Sequence, residues 1–120
     1  MDFDNDQAIY LQIADLICEH ILTGEWAEEE RIPSVRELAV SAEVNPNTVM
    51  RSFTWLQNRN IIYNQRGIGY FVAKDARKIT RQLKKNEFIN NQVPQFFKTM
   101  DLLAITFDEL NTLYKQRSEA

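Results

Sequence analysis

The chain has 120 residues, 44% of them hydrophobic and 26% charged, with a net charge of −3, one cysteine and one histidine. This amounts to one domain, or a small domain with an appendage, with enough apolar material for a core and a composition that argues against disorder. An internal disulfide is excluded, Cys18 and His20 make a metal site or metal cofactor unexpected, and no apolar run approaches the ~18 residues of a membrane span.

Asp2, Asp4 and Asp6 stand where a secretory signal would carry basic residues, so a reduced, cytoplasmic protein is expected. The negative total hides an uneven distribution. Residues 1–30 hold nine acids and no Lys or Arg, residues 31–74 hold six Lys or Arg against two acids, and residues 75–120 hold eight bases against six acids. A basic middle suits contact with phosphate, although an ordinary solvated face would give the same charge.

Residues 7–23 predict an amphipathic helix. Ile9, Ile13, Leu16, Ile17 and Ile21 fall at the spacing of one buried stripe, and Gly24 is free to take the positive φ that closes a helix. Cys18 is expected as a packed small side chain, His20 at the surface, and Trp26 over the base of the core.

A second helix is predicted over about 34–41, where Ser34 and Glu37 form the S-x-x-E capping box and Leu38 and Ala39 face inward. A third is predicted over about 46–59. Asn45 is its N-cap and Pro46 takes the first helical position, where the missing N–H costs nothing. Val49, Phe53 and Leu56 form its core stripe with Trp55 on the flank, and Asn60 is suited to the left-handed residue after its end.

Two helices joined this closely cross steeply, as in a helix-turn-helix, which places the first turns of its second helix in a DNA major groove. Asn45, Asn47, Thr48 and Arg51 lie toward those turns. Asn and Arg can meet base edges or phosphates, while Asn45 can equally serve as a cap alone.

Residues 61–65 and 69–73 are β-branched and aromatic runs joined by Arg66-Gly67-Ile68, the pattern of a hairpin. A hairpin after a helix-turn-helix makes a winged helix. Its tip, Arg66 and Gly67, combines charge with close backbone approach and suits a minor groove or flanking phosphate; a plain turn is the alternative.

From Asp75 the pattern is helical again, with Pro94 opening a second piece or kinking the first, and a last helix over about 107–117 behind a capping box at Thr106 and Glu109. Leu83, Phe96, Phe97, Met100, Leu103, Phe107, Leu110 and Tyr114 are many large apolar residues for a short tail. A homodimer would bury them and supply two-fold symmetry for a two-fold DNA site; folding back on the winged helix is the alternative. The expected architecture is mainly α (α+β): a winged helix-turn-helix over residues 1–74 and a helical dimerisation region over 75–120.

The motifs Ile32-Pro-Ser-Val-Arg-Glu-Leu-Ala39, Val44-Asn-Pro-Asn-Thr-Val49 and Arg66-Gly-Ile-Gly-Tyr-Phe-Val72 resemble the GntR family of bacterial transcription regulators, and the N-P-N-T-V form with a short tail is most similar to its YtrA subfamily. The resemblance spans about residues 7–73 and extends more loosely into the tail. It implies a homodimeric, sequence-specific regulator of double-stranded DNA, expected to be a repressor. Arg36 would contact phosphate or base, Asn45, Asn47, Thr48 and Arg51 would face the major groove, and Arg66 with Gly67 would form the wing contact. Glu29 and Asn60 stand where Gly is common, Ile32 where Leu is usual, and Pro46 where other subfamilies place Ser or Arg.

The alternative function is a winged helix used for protein contact without DNA. An enzyme is not expected: there is no phosphate-binding glycine loop, no Ser/His/Asp or Cys/His set and no recognisable carboxylate pair. No cofactor is implied, and no residue set points to a small-molecule effector.

Overall fold

The structure, a computed structural model, describes residues 7–117. Two compact units divide the chain, one ending at Gln82 and the other beginning at Leu83.

In the first unit, α1 (Ile9–Leu22), α2 (Val35–Ala42) and α3 (Pro46–Asn58) precede an antiparallel hairpin of β1 (Ile62–Gln65) and β2 (Gly69–Val72). Helix α3 packs against both α1 and α2. The core is built from Ile13, Ile17 and Ile21 of α1, Leu38 of α2, Val49, Phe53 and Leu56 of α3, and Ile61, Ile62 and Val72 around the hairpin, all buried. Cys18 is fully buried among them, as its small size suits. The stripe on α1 starts later than its spacing predicts. Ile9, the first helical residue, is 46% exposed because α1 meets the core only from Ile13 onward.

The helix ends follow their local signals. Ser34 Oγ accepts from the Glu37 N–H at 3.1 Å, while Glu37 Oε1 accepts from the Ser34 N–H at 3.2 Å, completing the capping box of α2. Asn45 Oδ1 accepts from the Asn47 N–H at 2.8 Å and caps α3, with Pro46 in the first turn. Asn60 follows α3 in the left-handed region at φ 62°. Glu43, at φ 58°, makes the turn between α2 and α3 in the same way.

The hairpin has a third member. Residues 29–32 run along the outer edge of β2: the Glu29 N–H donates to the Val72 carbonyl at 2.8 Å, the Val72 N–H to the Glu30 carbonyl at 2.9 Å, and the Ile32 N–H to the Tyr70 carbonyl at 2.9 Å. The segment that leads into α2 is thereby tied to the wing. Glu29 enters it at φ 68°, in the left-handed region that favours glycine.

Helix α4 (Ala76–Glu87) begins in the first unit, where Ala76 and Thr80 are buried and the Arg77 Nε–H donates to the Leu22 carbonyl at 3.1 Å. In the second unit the helix continues through a π-helical stretch, Phe88–Gln92, into α5 (Val93–Leu102), with Pro94 in the first turn of α5. A turn with Ala104 at φ 56° leads to α6 (Phe107–Gln116). Thr106 Oγ1 caps α6 by accepting from the Glu109 N–H at 3.1 Å. Among the described residues, no helix is long and apolar enough to cross a membrane.

Candidate nucleic-acid interface

Burying Val49, Phe53 and Leu56 turns the opposite stripe of α3 to solvent. That stripe carries Asn47, Met50, Arg51, Thr54 and Asn58, which together with Tyr10 of α1 and Trp55 line an open cleft of about 330 Å³. Asn45, Asn47 and Arg51 are exposed, and Thr48 is half-buried. Asn45 spends one side-chain oxygen on the cap; its amide N–H groups point to no partner among the described residues.

Arg36 of α2 is exposed, as are Arg66 and Gly67 at the hairpin tip, and among the described residues neither Arg has a carboxylate partner. The tip closes with the Ile68 N–H donating to the Gln65 carbonyl at 2.9 Å, and Gly67 takes φ 79°. A Cβ at Gly67 would meet nothing within 4 Å, so the space beyond the tip is open to a large ligand.

Three further arginines are engaged at this surface. The Arg51 guanidinium stacks over the Tyr10 ring, 4.1 Å from its centroid, across the α1–α3 junction. Arg59 stacks over Trp55 at 3.6 Å, and its Nη1 donates to the Trp55 carbonyl at 3.0 Å. Arg31 lies on the wing strand so closely that a Cβ at Gly69 would stand 2.8 Å from its Nε. The spacing of Ser34 and Glu37 marks the cap, whereas the approaches of Arg51 to Tyr10 and of Arg31 to Gly69 join distant stretches of the sequence and appear only once the chain is folded.

His20 is half-buried rather than free at the surface: its ring stacks on Trp26 at 4.5 Å and its Nδ1 lies 2.6 Å from Glu25 Oε2. Among the described residues, no group of three His, Cys, Asp or Glu side chains is placed to hold a metal ion.

In the second unit, Phe96, Phe97, Leu103, Phe107 and Tyr114 are exposed, from 47% at Phe96 to 70% at Phe107. Leu83 and Leu110 are half-buried. Met100 departs from the expected dimerisation set: it is already buried within the chain, 8% exposed, beneath the turn where the Ile105 N–H donates to its carbonyl at 2.9 Å.

The profile of the bacterial regulatory proteins of the gntR family matches residues 9–72. The chain is 35% identical over 108 residues to the HTH-type transcriptional regulator YhcF of Bacillus subtilis, covering 90% of this chain and 88% of that one. It is 32% identical over 110 residues to the HTH-type transcriptional repressor YtrA of the same organism, covering 92% of this chain and 84% of that one. A transcriptional regulator of the GntR family from Bacteroides thetaiotaomicron has a similar structure, with a TM-score of 0.76 at 50% identity over 91% of this chain and 95% of that one. The DNA-binding domain of AraR, solved in complex with an operator, is similar with a TM-score of 0.56 at 25% identity, over 61% of this chain and 88% of that one.

Proposed function

The chain belongs to the gntR family of bacterial regulatory proteins, whose members regulate transcription by binding DNA, and from that premise we propose that it is a homodimeric repressor of a two-fold operator. The observation that carries this reading is the exposed stripe of Asn47, Met50 and Arg51 on α3, together with Arg36 of α2 and Arg66 of the hairpin tip, which are exposed and have no carboxylate partner among the described residues. A cation without an internal partner is free to replace the counterions of a phosphate. In this reading the first turns of α3 enter a major groove, Asn47 and Arg51 meet base edges or phosphates, Arg36 holds the backbone from α2, and Arg66 with Gly67 reaches the neighbouring groove or phosphate.

The exposed aromatics of α5 and α6 would pair two copies, setting two α3 helices about 34 Å apart, one turn of DNA. The repressor assignment is supported by the likeness to YtrA, which is named a repressor, over 92% of this chain. The cytoplasm, where the DNA lies, is the expected location.

The test is the salt dependence of binding to a duplex selected with the wild-type protein from a randomised pool. Arg36→Ala and Arg66→Ala are each expected to weaken binding and to lower the slope of log K against log salt by about one, the share of a single phosphate contact. An unchanged slope in both variants would remove them from the interface. Failure of the wild-type protein to select any duplex would favour a protein-binding winged helix instead.

A further inference from the structure

We infer that Tyr10 is a positioning residue for DNA recognition: its ring is the shelf on which Arg51 is held ready, before DNA arrives, to present its N–H edge outward from α3. The inference rests on the DNA-binding reading and adds a residue of α1 to it.

Three observations carry it. First, the Arg51 guanidinium lies over the Tyr10 ring at 4.1 Å. A ring face holds the cation without accepting a conventional hydrogen bond, and among the described residues the Arg51 guanidinium donates to no other group, so its N–H donors remain available to a phosphate or a guanine edge. Second, among the described residues no carboxylate lies within ion-pair distance of Arg51, so the ring is its holder and none of those residues competes for its charge. Third, the shelf is itself fixed relative to α3. The hydroxyl of Ser52, which is fully buried, donates to the Tyr10 carbonyl at 2.6 Å. The residue next to Arg51 therefore clamps the residue beneath Arg51.

An unsupported arginine on a helix surface samples many rotamers, and binding must freeze them. With the side chain already laid along the ring, that ordering is done in the free protein. The cleft lined by Tyr10, Asn47, Arg51 and Thr54 keeps the space in front of the guanidinium open.

The experiment uses the full chain and a duplex of about 30 base pairs, long enough for two half-sites, selected with the wild-type protein. Arg51→Ala should weaken binding and lower the salt slope by about one. Tyr10→Leu should weaken binding about threefold at every salt concentration with the slope unchanged, because the contact still forms but from an unheld side chain. Tyr10→Phe, which keeps the ring, should bind as wild type. In an Arg51→Ala background, Tyr10→Leu should have no further effect.

A second readout needs no DNA. The Arg51 side-chain protons should show an upfield ring-current shift in the NMR spectrum of the wild type and Tyr10→Phe, and lose it in Tyr10→Leu. Absence of that shift in the wild type overturns the inference, as does additivity of Tyr10→Leu with Arg51→Ala. Weakening by Tyr10→Phe also overturns it, by giving the hydroxyl a contact of its own. A wild-type protein that selects no duplex overturns the DNA-binding reading itself, which is a distinct result from variants that bind like the wild type.

Discussion

The hydroxyl of Thr80 is buried in the first turns of α4 and has no hydrogen-bond partner among the described residues. A helical threonine ordinarily returns its hydroxyl to a carbonyl one turn back, and a buried polar group that fails to do so forfeits its water without compensation. Thr80→Val keeps the branched shape and removes the orphaned group. The expected result is a gain of about 1 kcal/mol, raising Tm by a few degrees, measured by thermal melting followed by circular dichroism. A fall in Tm would mean that the hydroxyl is satisfied in solution. The same scale explains why Tyr10 and Arg31 were not legible in the sequence. Neither contact is local: Tyr10 meets Arg51 and Arg31 meets Gly69 only because α1 and the chain before α2 are folded against α3 and the wing.

Among the elements, α2 depends most visibly on charge. The Glu37 carboxyl is held below 4.5, its ordinary value, first by the Ser34 backbone N–H and then by the Ser34 hydroxyl; desolvation opposes them, and Arg31 adds the smallest contribution. A carboxylate whose pKa is lower folded than unfolded contributes its full stability above the unfolded value and loses it as pH falls through the folded one. Glu37→Gln should therefore be less stable than wild type near neutrality, with the gap closing on acidification. Thermal melts of both proteins from about pH 7 to about pH 3 check this, and a gap constant across that range would separate the carboxyl from the cap.

The element boundaries that could be foreseen are those with punctuation in the chain itself: Ser34 with Glu37, Asn45 before Pro46, Asn60 after α3, and the glycine-containing tip of the hairpin. The edge pairing of residues 29–32 with β2 leaves no mark in the sequence, because a backbone ladder of three hydrogen bonds imposes no apolar pattern. The π-helical stretch Phe88–Gln92 likewise differs from an α-helix by a hydrogen-bond register that residue types do not announce.

For the molecule as a whole, the tail sets the expectation. Phe97 at 54% exposure and Phe107 at 70% leave large rings in water on a short unit, and apolar surface of this kind is normally covered by a partner. Under the proposed pairing, Phe97→Glu is expected to shift the protein to a monomer in sedimentation equilibrium while leaving the melting of the first unit intact, since a charge within an apolar interface is costly to desolvate. A wild-type chain that sediments as a monomer at micromolar concentration would refute the paired arrangement.

Finally, the strip of backbone from Glu29 to Ile32 joins β2 to the start of α2 through three main-chain hydrogen bonds. The hairpin is therefore no independent finger. In the proposed complex, a groove that displaces Arg66 would be resisted through that strip, which leads into the helix that carries Arg36.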